Sequence, residues 1–244
     1  MGDRRVAIVS DASSYVGPDL CRVLAARGHD LVVGDPAPGL VDELETDVAV
    51  VEGVRNLAKE GAAEQLVAAA MDRFGRLDSA TAFTGRIVVG RFLRSSIDDL
   101  HTVLTGCVDA PYRFLRAVVP VLVEQGQGQV LLFTSAAGVR PTPGAPLYSS
   151  ARAAATMLVK NVAVEVAPNG VQVNAIGTNF MDFPEFLGAN GVTDETSRAK
   201  VEARVPMGRL GGLDELASMA AAFVDGTSRF TTGQFLAFDG GWSA

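Results

Sequence analysis

The sequence predicts a doubly wound α/β domain, with one seven-stranded parallel sheet and helices on both faces. Three observations lead there. Short apolar runs alternate with helix-length patterns along all 244 residues, the order that builds β-α-β units. The runs are short and apolar, as strands covered on both sides by helices must be. No repeat, linker or low-complexity segment interrupts the pattern, so residues 1–244 read as a single domain.

In chain order, strands are expected at Val6–Ser10, Asp30–Gly34, Val48–Val51, Ser79–Phe83, Gln129–Thr134, Val171–Ile176 and Gln234–Phe238. Helices are expected near Pro18–Arg27, Ala62–Phe74, Ile97–Glu124, Tyr148–Val166 and Leu213–Val224, with Pro111 and Pro120 kinking or dividing the third. The N-terminus enters the first strand with no signal-type apolar region, and no apolar run approaches the ~18 residues of a membrane span. The balance is acidic, 28 Asp and Glu against 21 Lys and Arg for a formal charge of -7. With no basic run anywhere, nucleic acid and anionic membrane surfaces are not expected as partners. Cys21 and Cys107 sit in apolar helical patterns, which suits buried thiols of a reducing compartment, and a cytoplasmic protein is expected. His29 and His101 stand apart with no second ligand at a metal spacing, so both are expected at the surface and no metal site is expected.

The chemistry concentrates in FTSAAGVRPTPGAPLYSSAR, from Phe133 to Arg152. A hydroxyl, Ser135, ends an apolar run; a Pro/Gly-rich loop follows; Tyr148 and Arg152 then open a helix four residues apart, on one face. A cation held beside a phenol favours the phenolate, so the trio has the makings of a general base.

The spacing of Ser135, Tyr148 and the cation resembles the Ser, Tyr and Lys of the short-chain dehydrogenase/reductase superfamily, with Arg152 in place of lysine. That likeness covers essentially the whole chain and implies a Rossmann-like fold. Other positions depart from it. The first strand-to-helix turn, SDASSYVGPDL, keeps only Gly17 of the three glycines that let backbone approach a pyrophosphate; Asp11 and Tyr15 replace the others. The superfamily's Asn-Asn-Ala-Gly reads Ala82-Phe83-Thr84-Gly85, its helix asparagine aligns with Cys107, and Lys160 lies two turns too far along to replace the missing lysine. Cys107 is read as buried packing. Asp35 ends the second strand, where an acidic residue can bond a ribose hydroxyl, but before a proline it is also a plain turn former, and the altered phosphate turn upstream favours that reading.

Together these changes resemble the halohydrin dehalogenase branch, with its Ser-Tyr-Arg trio and a hydroxyl, aromatic and glycine in the first turn, here Ser10, Tyr15 and Gly17. The resemblance implies a lyase that needs no cofactor. It turns vicinal haloalcohols into epoxides with halide release and opens epoxides with small anions. It further implies a halide nest of Tyr15, Thr178, Asn179, Phe180 and Met181, and a homotetramer. Phe83, Phe183, Phe186 and Leu187 are expected to line the apolar substrate side. Trp242, in an element resembling the superfamily's C-terminus, is expected as a buried or interface anchor. Two alternatives stand beside this reading. One is an NAD(P)-dependent oxidoreductase with an atypical cofactor loop; the other is a catalytically inactive relative.

Overall fold

The computed structural model describes residues 4–244. Seven strands form one sheet: β1 (Arg5–Val9), β2 (His29–Gly34), β3 (Val48–Val51), β4 (Ser79–Phe83), β5 (Gly128–Ser135), β6 (Val171–Thr178) and β7 (Phe235–Phe238). Every pairing is parallel, and the strand order is β3-β2-β1-β4-β5-β6-β7. Along each strand successive side chains face opposite layers. Val6, Ile8, Val130 and Leu132 join one core with α3 (Ala62–Phe74), α5 (Ala110–Gln125) and α6 (Pro146–Val166). Ala7, Val9, Leu131 and Phe133 join the other with α1 (Gly17–Ala26) and α9 (Leu213–Val224).

The long third helix of the sequence reading is divided into α4 (Ile97–Leu104), a π-helical turn over Thr105–Asp109, and α5. Pro111 has no N–H to offer the carbonyl one turn back, which explains the widened turn just before it. Pro120 lies inside α5 without ending it. Three helices were not anticipated: α2 (Leu40–Glu43), α7 (Pro184–Ala189) and α8 (Glu195–Glu202). The first two are too short to show a periodic pattern. The third is set by a capping box, in which Asp194 accepts the Ser197 N–H at 2.7 Å and Ser197 Oγ answers the Asp194 N–H.

The strand order places the reversal of winding between β1 and β4. From there the connections run outward in both directions, leaving a crevice at the carboxyl ends of the strands where such folds receive ligands. Ser135 and Thr178 are paired at the ends of β5 and β6, on the rim of that crevice. No helix of the described residues is long and apolar enough to cross a membrane.

His29 corrects the sequence reading. It begins β2 and is buried, with Nδ1 3.2 Å from the Leu24 carbonyl and Nε2 unpartnered. Its position as the first residue of a buried strand outweighed its polarity. Burial, reinforced by the nearby Arg5, holds its pKa below the usual value of 6.5. The unfolded chain therefore binds a proton that the folded chain refuses, and stability falls as pH drops below about 6.5. Thermal unfolding midpoints measured from pH 7.5 to 5 are expected to fall with acid in the native protein. They should fall less in His29→Gln, with the paired carboxylates acting only at lower pH.

Candidate active site

Ser135 closes β5 and is almost fully buried. Its Oγ accepts the Ala137 N–H at 3.2 Å and leans toward the Thr178 carbonyl at 3.4 Å. The loop after it is tied to α6 by Ser149, whose Oγ donates to the Ala137 carbonyl at 2.6 Å. Pro146 opens α6, so Tyr148 falls in its first turn and Arg152 one turn later on the same side. Tyr148 is half-buried and Arg152 is buried. The guanidinium carbon lies 5.0 Å from the centre of the Tyr148 ring.

Two residues that sequence reasoning left without a role secure this cation. Arg152 donates through Nη2 to the Thr84 carbonyl and approaches the Thr84 hydroxyl at 3.5 Å through Nη1. Gly85, at φ +135°, leaves the space the guanidinium fills, since a Cβ there would overlap Nη2. Burial works against the charge of Arg152, but interaction with Tyr148 and its neighbours more than compensates, holding the guanidinium pKa above its ordinary value. Cys107 is buried behind the phenol among Val103, Ala151 and Leu147. The signal for Thr84 was present in the altered Ala82-Phe83-Thr84-Gly85 segment, but nothing in the sequence tied it to Arg152.

Tyr15 and Thr178 also reach this centre. Tyr15 adopts φ +54° and donates its hydroxyl to Thr178 Oγ1 at 2.8 Å. Its ring sits 4.8 Å from Phe183 and 6.3 Å, edge-on, from Phe83. Burial pushes the Tyr15 phenol well above the usual tyrosine range, so it is a neutral donor.

The rest of the expected halide nest does not assemble here. Asn179 Oδ1 caps the Phe180 N–H at 2.9 Å, and Phe180 is buried against Phe186 and Trp242. Met181 is core, bridged to Gly211. Asn179, Phe180 and Met181 line a separate cavity of about 310 Å³ with Arg209 and Phe238, and neither Ser135 nor Tyr148 borders it. Of the expected pocket aromatics, Phe83 and Phe183 meet Tyr15, whereas Phe186 and Leu187 pack on the Phe180 cluster. Trp242 also packs there, beneath the Arg140 guanidinium at 4.5 Å.

A family model described as enoyl-(acyl carrier protein) reductase matches residues 12–243. The chain belongs to the short-chain dehydrogenase/reductase superfamily. It is 29% identical over 244 residues to 2,5-dichloro-2,5-cyclohexadiene-1,4-diol dehydrogenase LinX of Sphingobium indicum, covering 98% of this chain and 96% of that one. It is 30% identical to cis-4-hydroxycyclohexanecarboxylate dehydrogenase of Sinomonas cyclohexanicum, covering 98% and 97%. Its fold matches that of YwfH, described as an NADPH dependent reductase, with a TM-score of 0.89 at 20% identity over 98% of both chains.

These likenesses overturn the expectation of a cofactor-independent haloalcohol lyase. The matching family is a reductase family and the relatives are named as dehydrogenases, so the oxidoreductase alternative replaces it, and the expectation of no cofactor is corrected with it. The change of lysine to arginine misled because it preserves the proton chemistry common to both reactions.

Whether the residues present accommodate a nicotinamide dinucleotide is tested by the first turn. A Cβ at Gly17 would overlap the Asp11 carbonyl, so the glycine keeps α1 close to the turn, and no side chain caps the start of α1. The Asp11 charge is met by Arg55 Nε at 2.9 Å and by the Ser13 N–H at 2.9 Å. Asp35, however, accepts the N–H groups of Gly53, Val54 and Arg55 at 2.6, 2.9 and 2.7 Å, so its carboxylate ties the loop after β3 to the end of β2. Tyr15 spans the crevice at the carboxyl ends of β4 and β6, against Phe83 and Thr178. With Tyr15 in this position the site does not fit the dinucleotide.

The guanidinium tie has a measurable cost of removal. Arg152→Met leaves the Thr84 carbonyl without its partner and should lower unfolding free energy by about 1–3 kcal/mol in urea titrations. Tyr148→Phe, which keeps the ring under the guanidinium, should change it by less than about 1 kcal/mol.

Proposed function

We propose that this protein is an NAD(P)-dependent oxidoreductase that interconverts a small cyclic secondary alcohol and its ketone. The observation that carries the reading is the likeness to a reductase family along residues 12–243, with Tyr148 beneath the buried Arg152 guanidinium and Ser135 on the crevice rim to handle the proton. Two relatives named for dehydrogenation of hydroxylated six-membered rings support the substrate class. The aromatic wall of Phe83 and Phe183 suits an apolar ring.

Tyr148 moves the proton. It takes it from the substrate hydroxyl on oxidation and returns it to the carbonyl oxygen on reduction. Ser135 Oγ holds the same oxygen once its hydroxyl proton turns from the Thr178 carbonyl, which it meets at 3.4 Å, to the substrate. The charge of Arg152 lies behind the phenol ring and steadies the negative charge that grows as the proton leaves. Arginine keeps that charge at any working pH, and its planar fork makes the bond to the Thr84 carbonyl.

The same reading places the protein in the cytoplasm as a homotetramer built on its long helices. Buried free thiols at Cys21 and Cys107 support a reducing compartment. Tyr112 on α5 and Met157 and Val164 on α6 are exposed apolar side chains that a subunit contact would cover.

Oxidation of cyclohexanol and substituted cyclohexanols, followed at 340 nm with NAD⁺ and NADP⁺, is the direct test. Turnover that falls by about 10²-fold or more in Tyr148→Phe is expected; absence of turnover with every cyclic alcohol and ketone would sink the reading. Sedimentation analysis should give a tetramer that Val164→Glu dissociates; a native monomer would remove the assembly from the proposal.

A further inference from the structure

The amino ends of the strands, opposite the crevice, hold a polar cluster that the proposed chemistry does not use. Arg5 begins β1, Gln129 and Gln172 stand paired near the starts of β5 and β6, and Arg229 lies in the loop between α9 and β7. With Asp78 and Gly226 they border a cavity of about 240 Å³. A Cβ at Gly226 would lie 2.8 Å from Arg5 Nη1, so glycine lets the loop rest on the guanidinium.

The partners of the two amides fix which end of each is nitrogen. Gln129 Oε1 accepts from Arg5 Nη2 at 3.1 Å and from the Gly226 N–H at 2.8 Å, so that end is oxygen. Its nitrogen then donates to the Ser228 carbonyl at 2.9 Å and to Gln172 Oε1 at 3.1 Å. The other end of Gln172 is therefore a nitrogen, and this Nε2 is buried with no acceptor among the described residues. Arg5 Nε is buried without an acceptor too. Buried donors are almost always paired, so two orphans on residues bordering one small cavity mark a shortfall of acceptor oxygen.

Negative charge is short in the same place. Asp78 uses both oxygens, on the Val6 N–H at 2.9 Å and on Arg76 at 2.8 Å. Asp225 pairs with Arg27 at 2.5 Å and accepts from Thr227. Arg5 and Arg229 have no carboxylate partner among the described residues; Arg229 Nε donates only to the Gly226 carbonyl, at 3.0 Å. Burial holds the Arg5 guanidinium below its ordinary pKa against the pull of Asp78, and Arg229 and Arg76 add to the effect.

We propose that this cavity binds a tetrahedral oxyanion, a phosphate group, at the end of the sheet opposite the candidate active site. Arg5 Nε and Gln172 Nε2 donate to it, and Arg229 supplies the second cation. The bound group joins β1, β6 and the loop before β7, so it stabilises the fold by mass action. The site is independent of the oxidoreductase reading.

The test is thermal unfolding in potassium phosphate against potassium chloride of equal ionic strength, with calorimetric titration of inorganic phosphate beside it. The native midpoint should rise by about 2–4 °C or more once phosphate exceeds its Kd. Arg229→Gln removes an exposed cation and should weaken phosphate binding about tenfold or more. Gln172→Glu keeps the oxygen that Gln129 bonds and puts a carboxylate oxygen where the orphan nitrogen stood. Without phosphate it should unfold at a higher temperature than the native protein, and phosphate should no longer bind. Arg55→Gln, at the other end of the sheet, should respond as the native protein does. Glycerol 3-phosphate titrated in parallel separates the sources: binding at least as tight as that of inorganic phosphate identifies an organic phosphate, and weaker binding the free ion. No phosphate binding by the native protein overturns the site. Unchanged affinity in both Arg229→Gln and Gln172→Glu does so too, leaving only the general stabilisation by an excluded salt. Loss of binding in Arg55→Gln alone places the anion at the first turn and also overturns the site. Should Gln172→Glu fail to fold, Arg229→Gln decides alone.

Discussion

The buried guanidinium of Arg152 is the constraint on which the site depends. A cation removed from water must be met by acceptors, and leaving one unmet costs several kcal/mol. Here the Thr84 carbonyl and the face of the Tyr148 ring meet it, while its Nε keeps no hydrogen-bond partner. That requirement fixes much else. It joins the loop after β4 to the first turns of α6, and it demands glycine at position 85. Gly138 serves the same packing from the other side, since a Cβ there would lie 2.8 Å from the Arg152 carbonyl carbon. The crevice wall between β4 and α6 is therefore as rigid as the ties of one side chain.

The opposite wall is organised by Thr178. Its parallel pairing with Ser135 sets the two strand ends level, and its carbonyl and hydroxyl then serve different partners, Ser135 on one side and Tyr15 on the other. Tyr15 reaches it only through a left-handed backbone, which costs about 1–3 kcal/mol at a non-glycine residue. Aromatic contacts with Phe183 and Phe83 offset that cost. Rigidity at Arg152 and strain at Tyr15 face each other across the same crevice.

The fold was legible because strand burial leaves a plain trace. β3 and β4 fall at the expected residues, and the others differ by one or two at an end, where hydrogen bonding rather than apolarity decides the boundary. Ser135, Tyr148 and Arg152 were legible from spacing alone, because a strand end and a helix start are local features. What was not legible was long-range. Thr84 meets Arg152 across 68 positions and Tyr15 meets Thr178 across 163, and no periodicity encodes such contacts. Phe180 and Met181 misled for the opposite reason: apolar side chains beside a turn look the same in sequence whether they face a pocket or a core. His29 misled because polarity alone does not report the first residue of a buried strand.

The error over reaction class has a physical origin. Removing a proton from an alcohol is the same act whether a hydride or a halide then departs, so the Ser-Tyr-cation trio cannot separate the two. Only the group beside the substrate carbon does so, and that space is the one Tyr15 occupies. The departures at Asp11, Tyr15 and Arg152 each have a hydrogen-bonding or ionic partner of their own. Asp11 is neutralised locally by Arg55 and Ser13; Arg152 is bound to Thr84 and Tyr148; Tyr15 is bound to Thr178.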